Sequence, residues 1–170
     1  RVLGVEKFGL VSFAQATMIM FVVGGDFGVN LYGPGKIAKV RGEREVLKSV
    51  FWNFFLIRLC AIVVMVAIIV AFIFIVPRFR NESSLFLGSI LYFVSTLIFP
   101  IWFLQGMEDM VLLSIMSFLA RFFGVVLIFF FVRAPSDYWM VPYLQGGIPT
   151  LFYLAAICYI LFKYKSIPYC

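Results

Sequence analysis

VFWNFFLIRLCAIVVMVAIIVAFIFIV, residues 50–76, carries a single charge, Arg58, in a run that is otherwise almost wholly apolar. A helix needs about 20 such residues to cross the hydrocarbon core of a bilayer. This run exceeds that length, and four more resemble it, so spanning helices are expected at about 10–33, 50–76, 85–104, 110–132 and 139–162. Over the 170 residues, hydrophobic side chains make up 64% and charged ones 13%, with a mean hydropathy of +1.09. A soluble domain covers its surface with about a quarter charged residues, so the composition excludes one. Strands of a transmembrane barrel would alternate in polarity over about 10 residues, and no such alternation is present. The expected fold is therefore an all-α integral membrane protein, in which short linkers pack about five transmembrane helices into a single bundle over residues 1–170.

Charge fixes the expected orientation. The loop at 34–49 holds Lys36, Lys39, Arg41, Arg44 and Lys48, and short loops rich in Lys and Arg face the cytoplasm. With Lys163 and Lys165 that side totals seven, against five for Arg1, Lys7, Arg78, Arg80 and Arg133. Residues 34–49 and 163–170 are thus expected in the cytoplasm. Trp52 and Trp102 then sit near inner ends of spans, and Tyr138 and Trp139 near an outer end, as interfacial aromatics do. This topology accounts for the net charge of +6 without nucleic acid. The chain begins at Arg1 with no charged leader and cleavage site ahead of the first span, so it is expected to be a fragment rather than a protein with a signal peptide. Cys60, Cys158 and Cys170 suggest neither a disulfide framework nor a metal site. The lack of histidine removes the usual zinc ligands and His-based triads. Asn81-Glu82-Ser83 matches a glycosylation sequon, a pattern short enough to arise by chance.

Charges at bilayer depth are costly and usually face a bundle interior or a wet cavity. Here they are Asp26, Arg58 and Arg121. At about 100° per helical residue, Ser12, Gln15, Asp26 and Asn30 fall within about 60° of one another. Gly24 and Gly28 point to nearly the opposite side, as a face on which another helix could pack closely. Ser114, Ser117, Arg121 and Gly124 form a second stripe, within about 80°. Arg121 is too deep for easy snorkelling, whereas Arg58 could still reach an interface. Asp26 could reach headgroup water or pair with either arginine. Two arginines against one aspartate leave the interior cationic, and guanidinium suits bidentate contact with phosphate. An anionic substrate is therefore favoured over a cationic drug, the alternative being that these charges pair off structurally. PYLQGGIP, with Pro142 and Pro149 flanking Gly146 and Gly147, is expected to kink or partly unwind the last span.

RVLGVEKFGLVSFAQA, FGVNLYGPGKIAKVRG, WFLQGMEDM and APSDYWMVP, taken in order and at similar spacing, resemble the polysaccharide flippases of O-antigen type, within the multidrug/oligosaccharidyl-lipid/polysaccharide exporter superfamily. The resemblance implies that the chain is most of one bundle, helices two to six, of a two-bundle transporter, without its first helix and second bundle. It implies movement of undecaprenyl-diphosphate-linked oligosaccharides across the bacterial inner membrane by alternating access, through a cationic cavity between the bundles. Carried over by position, Arg58 and Arg121 match arginines of the family's third and fifth helices, and Asp26 precedes FG-N in the second. Where relatives often carry Arg in an R-E-I-A segment, this chain has Gly35-Lys36-Ile37-Ala38, which leaves Lys36 with topology alone. The expected substrate-binding residues are Arg58, Arg121, Asp26, Asn30 and Gln15, with no catalytic residue, no metal and no cofactor beyond a coupling ion, H+ or Na+. Expected partners are the lipid-linked oligosaccharide, membrane lipids and polysaccharide polymerase machinery. Two other readings stay open: a cation-coupled multidrug exporter with Asp26 as its ion site, and a non-transporting scaffold held together by its buried charges.

Overall fold

The computed structural model describes residues 4–165. Arg1, residues 166–170 with Cys170, and the side chains of Arg78, Tyr164 and Lys165 lie outside the described residues. The chain forms α1 (Gly4–Asp26), α2 (Val29–Val40), α3 (Arg44–Ile75), α4 (Pro77–Asn81), α5 (Ser83–Ile98), α6 (Ile101–Gly106), α7 (Met110–Phe131) and α8 (Met140–Lys165), with a 3-10 turn at Pro135–Trp139 before α8. No strand occurs among the described residues. Lipid offers no partner to backbone N–H and C=O groups, so an apolar segment that crosses it satisfies them internally, as a helix. Among the described residues, five stretches are long and apolar enough to do so: Gly4–Asp26, Arg44–Ile75, Ser83–Gly106, Met110–Phe131 and Pro135–Lys163.

Two of these depart in outline from the expected spans. The first stops at Asp26, and α2 begins three residues later and runs through Pro34 to Val40, across much of the expected 34–49 loop. Phe27 and Gly28 cause the break, with φ of 46° and 72°, a left-handed region that glycine enters freely and other residues seldom do. Nothing lies within 4 Å of a Cβ built on Gly28, so this residue serves the turn and not a G-x-x-x-G packing face. Gly25 takes the packing role, since a Cβ there would stand 2.9 Å from Leu97 Cδ1. The third span is broken as well: Phe99, at φ −71° and ψ 119°, separates α5 from α6. A residue before proline is pushed out of the helical region, and Pro100 follows. By contrast, α8 stays helical without interruption through Pro149, so PYLQGGIP does not unwind.

The α5–α6 pair is central and α7 peripheral: half of the Ser83–Gly106 window is buried, against 11% for Met110–Phe131. Contact between α5 and α8 is close because a Cβ at Gly146 would stand 2.6 Å from the Leu91 carbonyl carbon, and nearer still to the Tyr92 amide nitrogen. The apolar core is split in two. One cluster joins Ala14 and Met18 of α1 to Ile62 and Ile69 of α3 and to Phe93 and Leu97 of α5. The other joins Ile37 of α2, Phe51 of α3, Phe99, Trp102 of α6 and Ile160 of α8. Along α3 the boundary falls at Arg58, between α1 and α2 at Asp26–Gly28, and between α5 and α6 just before Phe99.

Candidate functional site

That boundary is occupied by charge. Arg58 Nη2 lies 2.6 Å from Asp26 Oδ1, while Arg58 Nη1 donates to the Phe99 carbonyl at 3.2 Å. The other Asp26 oxygen, Oδ2, accepts the Asn30 backbone N–H at 3.2 Å. Both helix breaks strand backbone polar groups at depth, where an unmet group is costly. The ion pair reaches one at each: Asp26 takes the N–H at the start of α2, and Arg58 joins the Ile101 N–H on the Phe99 carbonyl. Arg58 is only 3% exposed, so it does not snorkel. Between the two arginines that the sequence offered Asp26, the fold brings up Arg58.

A separate pocket of about 430 Å³ opens among α1, α5, α7 and α8. Arg121 is its one charged lining residue, set among Gln15, Tyr92, Thr96, Ser117 and Tyr153. Arg121 itself is exposed and makes no ion pair among the described residues. Gln15 Nε2 donates to Gln145 Oε1, which ties α1 to α8 across the pocket. Of the expected binding residues, the fold thus gathers Gln15 and Arg121 and places Asp26, Asn30 and Arg58 outside the lining. Ser117 and Gly124 of the α7 stripe line the pocket with Arg121. Sequence reasoning did not single out Tyr92, Ser95, Thr96, Gln145 or Tyr153. A signal existed for three of them: Tyr92, Ser95 and Thr96 recur at the i, i+3, i+4 spacing of one helical face.

One end of the bundle is held by surface ion pairs. Arg41, after α2, lies 2.9 Å from Glu108, and Lys163 of α8 lies 2.7 Å from Asp109. Asp109 also caps α7, accepting the Leu112 N–H at 3.3 Å. The Lys163 ammonium, more than this cap, holds the Asp109 carboxyl below the usual carboxylate range. The basic loop after α2, the Glu108-Asp109 turn and the end of α8 therefore share one end, as the charge count expects of 34–49 and Lys163.

Five apolar spans among the described residues, four of them lining a polar pocket, define a multi-pass membrane protein. A sequence profile of the family described as "Polysaccharide biosynthesis protein" matches residues 1–168. The chain belongs to this family, in agreement with its resemblance to O-antigen flippases. It is 31% identical over 147 residues to a protein of Escherichia coli (strain K12) named "Putative O-antigen transporter", covering 86% of this chain and 35% of that protein. A protein of Shigella dysenteriae with the same name is 26% identical over 137 residues, covering 81% of this chain and 34% of its own. The chain thus spans about a third of the length of these relatives. No solved structure matches it.

Proposed function

We propose that the protein of which this chain is a part moves a lipid-linked oligosaccharide, an undecaprenyl-diphosphate-linked repeat unit, across the bacterial inner membrane by alternating access. The observation that carries this reading is the Arg121 pocket: a lone, exposed guanidinium inside a membrane bundle, walled by amides, hydroxyls and aromatic rings. Guanidinium binds phosphate or carboxylate in a bidentate fork, and no carboxylate lines the pocket to neutralise it. The lining amides and hydroxyls suit sugar hydroxyl groups, and Tyr92 and Tyr153 offer ring faces. The relatives named as O-antigen transporters support the same cargo class. In this reading, residues 34–49 face the cytoplasm, the cargo enters from that side, and H+ or Na+ supplies the coupling. Asp26 and Arg58 act as positioning residues, because their charges are spent on each other and on the two helix breaks. The polymerase that consumes the repeat unit is the proposed partner on the far side.

Genetic complementation tests this. In a strain lacking the intact gene, the Arg121→Ala protein should accumulate normally yet leave the surface without polysaccharide. Normal surface polysaccharide in that strain would rule out the pocket as the transport site. Drug susceptibility as the sole phenotype of gene loss would favour a multidrug exporter instead.

A further inference from the structure

At the end of the bundle opposite Arg41 and Glu108 lies a smaller cavity of about 240 Å³, lined by Asn81, Glu82, Ser83, Ser84, Tyr138 and Trp139. Two elements line it, the joint between α4 and α5 and the 3-10 turn, and Lys7 of α1 contacts both from outside the lining. Tyr138 donates its hydroxyl to Glu82 Oε2 at 2.5 Å, and Lys7 Nζ lies 3.9 Å from Glu82 Oε1 and 4.4 Å above the Tyr138 ring. This triangle fixes the Glu82 carboxylate and the Tyr138 ring in place before any ligand arrives. Around it, the side chains of Asn81, Ser83 and Ser84 have no hydrogen-bond partner among the described residues. Trp139 is 40% exposed at the rim.

The geometry points to a binding site for a single neutral sugar ring. An open amide, two open hydroxyls and a held carboxylate supply the mixed donors and acceptors that ring hydroxyl groups require. The indole supplies a rigid, flat apolar face at low entropic cost for the C–H face of a pyranose. At about 240 Å³ the cavity is on the scale of one ring rather than of a chain of sugars. This inference goes beyond the Arg121 pocket and rests on the transport reading only for where the sugar comes from. The site lies at the end from which cargo would leave, so it would receive the first sugar to emerge.

Saturation-transfer NMR on the intact protein in nanodiscs tests it, with glucose, galactose, rhamnose and N-acetylglucosamine as probes. At least one should bind saturably, in the millimolar range expected of one ring in an open site. Its affinity should fall at least about tenfold in Trp139→Ala and in Asn81→Ala, and recover in Trp139→Phe, a variant that keeps an aromatic face. The same binding should persist in Arg121→Ala, which separates this site from the central pocket and keeps its fate independent of the transport proposal. Binding of none of the four sugars, binding unaffected by Trp139→Ala, or preferential binding of glycerophosphoethanolamine would each overturn the inference.

Discussion

Arg58 is buried beside Asp26, its guanidinium shared between that carboxylate and the Phe99 carbonyl. A buried ion pair gives little net stability over an apolar pair of the same shape, but losing one partner strands the other charge, at a cost of about 3–5 kcal/mol. Arg58→Ala should therefore lower the thermal midpoint of the detergent-solubilised protein and its yield in membranes. Asp26→Asn combined with Arg58→Gln should recover part of that loss, because the amides can still serve the Asn30 N–H and the Phe99 carbonyl. A double variant no better than Arg58→Ala would contradict this role. At Asp109 the prediction concerns pH. Its folded-state pKa lies below the unfolded value, so its stabilising contribution is fully present above the ordinary carboxylate range and is lost as pH falls through the folded value. Thermal midpoints followed across acid pH should accordingly fall less steeply in Asp109→Asn than in the parent. Arg121, Ser117 and Gln15 were legible in the sequence because a polar residue in an apolar run stands out and helical spacing aligns it with its neighbours. The partner of Asp26 was not, because a choice between arginines on two other helices depends on how those helices pack.

Among the elements, the five spans were plain from apolar runs, and the breaks within two of them were not. Apolar residues resume at once past the turn at Phe27–Gly28, with Val29, Leu31 and Tyr32, because backbone dihedrals leave no mark on composition. Pro100 did signal the second break, through its constraint on Phe99, but the following six residues form a further helical turn that extends the same run. The glycines of PYLQGGIP were misleading in the other direction. Gly146 is required by the approach of α8 to α5, and the helix continues through it. Gly146→Ala should force the two backbones apart and cost about 1–3 kcal/mol or more, read as a lower thermal midpoint. Gly147→Ala, whose Cβ would meet only Leu91 Cδ2 at 3.5 Å, should be tolerated. Equal effects in the two variants would show that helix flexibility, not helix contact, fixes these residues.

The whole molecule stacks two apolar clusters along the bundle, joined at one level by an ion pair and two helix breaks, with a cationic pocket beside them. Arg121 is the proposed cationic contact for an anionic, moving cargo. Its most direct test is transbilayer movement of a labelled undecaprenyl-diphosphate-linked oligosaccharide in proteoliposomes that contain the purified intact protein. The expected result is movement by the parent, none above protein-free vesicles by Arg121→Ala, and a rate between the two for Arg121→Lys, which keeps the charge and loses the bidentate fork. Undiminished movement by Arg121→Ala would contradict it.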